Sequence, residues 1–372
     1  MPDLRTLDQL ETPAAVVDVD RMHANIRRAA DYTREHGLAW RPHAKTHKVP
    51  ALAAEQVKAG AVGVTVATAR EAEVMAGAAD DLLLAYPPVN PSTLERVLSL
   101  PAHVRLTVGL DSADALRLLA AAARERGRRV GVLVEFDAGM RRVGVQSPDD
   151  AIALATLAAE LNGVEYRGLM FYAGHVRMPI AEQGEALGEL SATVERFVSA
   201  VSRCGLTPHV VSGGSTPTFW RSHQVAAATE VRPGTNIFND RITAALGACE
   251  WDQLAYSVLA TVVSTSAPGQ AVVDAGSKAL ARDELPGGGP GLGALLDRPE
   301  VTVRGVSEEH GILDLSQTDW RPRVGDRVRV VPNHVCVSVN LHERLWGVRG
   351  DEIVDEWEVA GRGRAPLNRN SR

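Results

Sequence analysis

Regular alternation constrains this chain more than any other feature. Through its first two thirds, short β-branched runs alternate with Ala-rich amphipathic stretches. An initial strand, Ala14–Asp18, and a helix, Met22–His36, lead into eight further strand candidates. These are Ala39–His43, Val62–Ala67, Asp81–Ala85, Val104–Val108, Val130–Glu135, Tyr166–Phe171, His209–Ser212 and Ala228–Arg232. Helical patterns such as Ala113–Arg126, Asp149–Leu161 and Ala181–Arg203 lie between them. Leu116, Leu119, Ala120 and Ala123 fall at i, i+3, i+4 and i+7, so they share one helix face. Asp111 precedes one helix, and Ser147 with Pro148 opens another. Eight alternating units predict an α/β protein built on a (β/α)8 TIM barrel. An open doubly wound sheet is the competing arrangement, but no G-x-G-x-x-G follows a first strand.

After about residue 245 the helical period disappears. Leu254–Ser264, Ala271–Asp274, Val301–Gly305, Arg327–Val331, Val335–Val339, Arg344–Val348 and Asp351–Glu358 read as strands. Gly287–Gly293 reads as a flexible loop, and Pro322–Asp326 as a turn. The expected organisation is a barrel over 1–245 and a C-terminal β-rich domain over 246–372. The N-terminal strand is expected to contribute to the second domain.

Composition then excludes several classes. A net charge of -6 without a basic cluster argues against nucleic acid. No apolar run approaches the ~18 residues of a membrane span. Met1–Leu10 is polar and mixed in charge, unlike a secretory signal. Cys204, Cys249 and Cys336 are odd in number and far apart, which suits a reducing, cytoplasmic setting. Only four of the 40 basic residues are lysines: Lys45, Lys48, Lys58 and Lys278. Any chemistry that needs an amine therefore has four candidates.

Barrel chemistry sits at the C-terminal ends of strands. That filter selects Arg41–Lys48, Asp137–Gly144, Tyr172–His175, Ser212–Thr216 and Arg232–Asn236. Ser212, Gly213, Gly214, Ser215 and Thr216 form a small, hydroxyl-bearing loop after the seventh strand, and Gly234-Thr235 follows the eighth. Loops at these two places commonly bind phosphate through backbone N–H groups, though each alone reads equally well as a tight turn. Lys45 closes the first strand in a basic segment. By itself it is as consistent with a solvated surface lysine. Beside a phosphate cradle it suggests a carbonyl cofactor held by an amine.

Together these segments resemble the fold-type III pyridoxal-phosphate enzymes, the alanine racemase-like barrels, and among them the D-threonine aldolase and D-serine dehydratase family. Arg-Pro-His-Ala-Lys-Thr-His-Lys matches that family's Schiff-base motif, so the resemblance makes Lys45 the cofactor lysine. Asp137–Gly144 matches D-x-G-x-x-R-x-G, which implies that Arg142 lies near the cofactor's phenolic oxygen. Arg232 corresponds to an arginine facing the pyridine nitrogen. Gly213, Gly214, Ser215, Gly234 and Thr235 correspond to phosphate positions, and Asn236 departs from the aromatic residue common there. An arginine does not give up its proton, so the ring nitrogen stays unprotonated and the cofactor is a weaker electron sink. Such a site needs help with the β-substituent.

His334-Val335-Cys336 is the candidate for that help. On a strand, i and i+2 point to one side, so imidazole and thiolate could grip one ion. Spacing alone fits a buried cysteine beside a surface histidine better. The resemblance implies a metal at this pair: zinc for a thiolate site, with manganese as the alternative. Tyr172 and His175 are candidate cofactor contacts or acid/base groups. His43 and His47 flank Lys45, and Asn239-Asp240 follows the phosphate loop as a candidate pocket lining.

The implied activity is a lyase acting on β-hydroxy D-amino acids, of D-threonine aldolase type, with D-serine dehydration as the alternative. Racemization needs a second acid/base group, for which Tyr256 lacks the expected context. A non-catalytic cofactor carrier lacks a reason for the second domain. By analogy with relatives, the assembly expected is a homodimer.

Overall fold

The computed structural model describes residues 5–366. The chain divides into two compact units. One comprises Met1–Arg27 with Thr235–Val359, the other Arg28–Gly234 with Ala360–Arg372. The first strand, β1 (Ala14–Asp18), is followed by helix α1 (Val19–Glu35).

All eight expected barrel strands form. They are β2 (Ala39–Trp40), β3 (Val64–Val66), β4 (Asp81–Leu84), β5 (Arg105–Leu110), β6 (Val130–Glu135), β7 (Val164–Met170), β8 (Val210–Gly213) and β9 (Glu230–Val231). They make an 8-stranded sheet in the order β2-β9-β8-β7-β6-β5-β4-β3, parallel throughout. A parallel bridge between His43 and Thr65 joins its two ends and closes the ring. β2 and β9 are shorter than expected. Pro42 and Pro233 follow them closely, and proline has no N–H to extend a ladder. The chain path continues instead through His43 N–H to the Pro233 carbonyl, 2.9 Å.

The helices between these strands are α2 (Pro50–Lys58), α3 (Ala69–Met75), α4 (Pro91–Leu98), α5 (Ala113–Glu125), α6 (Pro148–Glu160) and α7 (Gly184–Arg203). Thr68, Asn90, Ser112 and Ser147 cap four of them, each side chain accepting a backbone N–H of the first turn. Ser112 rather than Asp111 is the cap of α5, and Asp111 Oδ2 accepts the Gly144 N–H at 2.8 Å. Leu116, Leu119, Ala120 and Ala123 are all buried on α5. Truncating Leu119 to Ala would cost roughly 2–5 kcal/mol through the cavity left behind.

In the other unit, β1 is central. It runs antiparallel to β10 (Tyr256–Ser264) and parallel to β16 (Arg344–Arg349). The sheet also contains β11 (Gln270–Val273), β12 (Gly293–Leu295), β13 (Val303–Val306), β14 (Gly311–Asp314), β15 (Arg327–Pro332) and β17 (Glu352–Glu358). The glycine run hid β12, which pairs with β15. Two short helices, α8 (Arg241–Ala245) and α9 (Ser277–Leu280), complete its start.

One expected strand is wrong. Val335–Leu341 is a helix, α10, with His334 as its N-cap residue. The alternating valines suggested a strand, but Val335, Ser338 and Val339 are buried while Val337 is exposed, which is helical spacing. No helix among the described residues is long and apolar enough to cross a membrane.

Candidate active site

Of the four lysines, two have carboxylate partners. Lys48 Nζ lies 2.5 Å from Glu71, whose side chain is wholly buried, and Lys278 pairs with Glu309 at the surface. Lys58 ends α2. Lys45 stands exposed in the turn after β2, with Nζ 6.0 Å from the centre of the Tyr172 ring. Arg142 approaches the same ring at 4.9 Å, so both cations lie close to Tyr172. His43 is held well below its usual range, by burial first and then by the charges of Lys45, Arg232 and Lys48.

The loop carrying Arg142 is built before any ligand arrives. Asp137 Oδ1 accepts N–H bonds from Gly139 at 2.9 Å and Arg141 at 3.0 Å. A Cβ on Gly144 would strike the Asp137 backbone N at 2.4 Å. A Cβ on Gly139 would touch His175 Nε2 at 3.0 Å, so His175, itself exposed, leans over this loop.

The phosphate candidates are likewise pre-shaped. Gly214 has φ +86°, and a Cβ on Gly213 would enter the Phe171 ring. A Cβ on Gly234 would meet Thr46 Oγ1 at 2.9 Å and the His43 carbonyl at 3.0 Å. Thr216 Oγ1 accepts the Gly234 N–H at 3.3 Å, and Ser215 bonds Thr218 at 3.1 Å, so the two loops are tied together. Ser212 has a different task. Its hydroxyl donates to Glu230 at 2.5 Å and accepts from Arg232 at 2.6 Å.

Behind Arg232 lies a buried ionic network. Arg232 Nη2 donates to the Phe171 carbonyl at 2.9 Å. Glu230 Oε2 takes Arg41 Nε at 2.8 Å, and Arg41 Nη1 reaches Asp81 at 2.7 Å. Charges buried this deeply persist only when every member is paired. Glu135 closes β6 with its carboxyl raised by burial, against the pull of Arg232 and Arg142. Sequence reasoning missed Glu135 and Glu230. The available signal was a carboxylate inside an otherwise apolar strand run.

The remaining candidates belong to the β-rich unit. Thr235 Oγ1 lies 3.7 Å from Cys336 Sγ. His334 Nδ1 lies 3.0 Å from Asp240 Oδ2, and that carboxylate is fully buried. Burial works to lower His334, but Cys336 and Asp240 outweigh it and raise the imidazole to about 11. No cluster of three or more potential metal ligands occurs among the described residues.

Comparison with known proteins places this arrangement. The alanine racemase N-terminal domain model matches residues 17–241, and the putative serine dehydratase domain model matches 255–348. The chain belongs to the alanine racemase-like, fold-type III pyridoxal-phosphate family. The 3-hydroxy-D-aspartate aldolase of Paracoccus denitrificans (strain Pd 1222) is 32% identical, over 98% of this chain and 96% of that one. The D-threo-3-hydroxyaspartate dehydratase of Delftia sp. (strain HT23) is 35% identical, over 95% and 98%. A structure of that dehydratase's cysteine-to-alanine mutant, in a metal-free form, has a TM-score of 0.85, at 33% identity and with coverage of 95% and 98%. D-threonine aldolase from Filomicrobium marinum superposes with a TM-score of 0.91, at 31% identity, covering 97% of this chain and 99% of that one.

The residues of this family member fit the family's cofactor. Gly213 and Gly234 leave no room for a side chain and Gly214 takes φ +86°, so both loops present bare backbone. Asn236 has both amide atoms buried without a protein partner. A carboxamide left so costs a few kcal/mol, which a polar ligand would relieve. The donor set of His334 and Cys336, an imidazole and a thiol backed by the Asp240 carboxylate, likewise suits a cation. Tyr256, by contrast, is buried with its hydroxyl bonded to Ser338 at 2.8 Å and its proton held more tightly by burial. It is not placed as a racemase acid.

Proposed function

We propose that this protein is a pyridoxal-phosphate- and metal-dependent lyase that cleaves β-hydroxy D-amino acids to glycine and an aldehyde, in the manner of a D-threonine aldolase. The observation that carries the reading is the His334–Cys336 pair backed by Asp240. Racemization has no use for it, whereas a β-oxygen does.

Lys45, Arg142, Tyr172, Ser215, Thr216, Gly213, Gly214, Arg232, Gly234 and Thr235 are the residues that would hold the cofactor, with Ser212 bracing Arg232 rather than binding phosphate. Bound pyridoxal phosphate supplies the electron sink that lets bonds at the substrate Cα break. Lys45 would hold the cofactor through its amine and, released by substrate, would be the group to exchange a proton at Cα. Arg232, whose guanidinium keeps its proton, would leave a ring nitrogen set against it without one. His334 and Cys336 would hold a divalent ion, zinc with manganese as the alternative, whose Lewis acidity acts on the β-oxygen. His175 or Lys45 takes the β-hydroxyl proton during carbon–carbon cleavage.

Dehydration to a keto acid and ammonia is the second reading, and the thiol of Cys336 in the metal pair favours it. The two separate by product. The holoenzyme is incubated with D-threonine, D-threo-3-hydroxyaspartate and D-serine, with and without a chelator. Glycine with an aldehyde supports the aldolase, and keto acid with ammonia from D-serine supports the dehydratase. No chelator-sensitive product from any of them overturns the metal-lyase reading. The assembly we propose is a homodimer in the cytoplasm, checked for mass by light scattering.

A further inference from the structure

We propose that Asp240 is the positioning residue of the metal pair: it fixes the His334 ring so that Nε2 alone is presented to the ion. The inference rests on the reading that His334 and Cys336 hold a metal.

Its basis is the hydrogen bonding of one buried carboxylate. Asp240 Oδ2 lies 3.0 Å from His334 Nδ1 and accepts the Val335 N–H, also at 3.0 Å. Oδ1 accepts the Thr243 N–H at 2.8 Å and the Thr243 hydroxyl at 2.9 Å. Four donors and complete burial leave the carboxylate no other orientation. An ionised carboxylate only accepts, so Nδ1 must carry hydrogen. Nε2 is then the nitrogen left for a metal ion, which takes the place of the second proton there. Histidine ligands generally show this arrangement, and losing the outer partner typically weakens metal binding 10–100-fold.

A plain capping role explains only half of these contacts. Asp240 is the N-cap residue of α8, and Oδ1 with Thr243 satisfies that helix start. Oδ2 faces away from α8, to a residue 94 positions later in the chain. A cap needs no such bond, whereas a ligand ring does. The same carboxylate also fixes the start of α10 through Val335, and so sets where Cys336 begins its turn.

A double-mutant cycle separates the two roles. Zn2+ affinity of the cofactor-loaded full chain is measured by chelator competition for wild type, Asp240→Asn, His334→Gln and the double variant. We expect Asp240→Asn to weaken Zn2+ binding 10–100-fold, but less than about twofold further in the His334→Gln background. Equal losses in both backgrounds would mean that Asp240 acts only on local structure, and would overturn the proposal. If Asp240→Asn does not fold, Zn2+-loaded wild-type crystals decide. Zinc on Nε2 with Nδ1 facing Asp240 supports the proposal, and zinc on Nδ1 overturns it. His334-dependent binding that ignores Asp240→Asn sinks only the orienting role, whereas absence of His334-dependent Zn2+ binding sinks the metal reading with it.

Discussion

The turn that carries Lys45 and the helix start that carries Cys336 each hold a histidine, and the two are driven in opposite directions. His47 is wholly buried: its Nδ1 accepts the Val49 N–H at 3.1 Å and its Nε2 donates to Gln56 at 3.2 Å. Burial pushes it down to about 4. At His334, burial works in the same direction, yet Cys336 and Asp240 prevail and the imidazole rises to about 11. The turn of Lys45 is thus propped by a neutral hydrogen-bonded ring, while the His334–Cys336 pair is organised by charge. Each region should fail in its own way when its kind of support is removed.

The sharpest break is at Lys45. Replacing it with Ala should lower turnover at least ~10^3-fold, about 4 kcal/mol in barrier, and abolish the covalent cofactor adduct fixed by borohydride. Because Lys45 is exposed, melting should hardly change. A cofactor still fixed to the protein in Lys45→Ala would assign the link to another amine.

Glu230→Gln tests the charged floor beneath that turn. Arg41 keeps Asp81 but loses the charge of Glu230, and the one amide oxygen can accept from only one of Arg41 and Ser212, while both arginines stay buried. Breaking a buried pair by removing one partner costs about 3–5 kcal/mol. Urea unfolding should show that loss, and a change below about 1 kcal/mol would mean that Arg41 and Arg232 do not depend on Glu230. The β-rich unit should respond to metal instead. Chelation should reduce turnover about 100-fold, equivalent to about 3 kcal/mol, restored by Zn2+, with the borohydride adduct at Lys45 unchanged. Loss of the adduct on chelation would show that the two supports are not separable.

These contrasts also explain what could be read from sequence. The eight strands were legible because a parallel barrel strand is apolar on both faces and its neighbours repeat the pattern. That Lys45, Arg142 and Tyr172 come together was legible because the strand ends of a barrel share one face. Glu230 and Glu135 were not, since a carboxylate inside a strand announces no partner, and Arg41 comes from 189 residues earlier. Ser212 looked like a phosphate ligand, and only the folded network shows its hydroxyl spent on Arg232 and Glu230. The stretch from Val335 to Val339 misled because β-branched alternation outweighed a single buried turn. There Asp240, 95 residues away in the chain, supplies the bond at the helix start.

The smallest expected effect follows from His47 and bears directly on the opening contrast. Its folded pKa of about 4 lies below the ordinary 6.5. Below pH 6.5 the unfolded chain therefore takes up a proton that the folded chain refuses. Stability is fully present above 6.5 and declines as pH falls toward 4. By pH 5 the loss from this one group should be about 2 kcal/mol. Other groups titrate in the same window, so absolute stabilities do not isolate it. The informative quantity is the stability difference between pH 7 and pH 5, compared between wild type and His47→Asn. The substitution lowers stability at both pH values, but the difference should shrink by about 2 kcal/mol, because the titrating ring is gone. An unchanged difference would show that His47 does not resist protonation in the folded state. The turn beneath Lys45 would then be held by something other than a neutral ring.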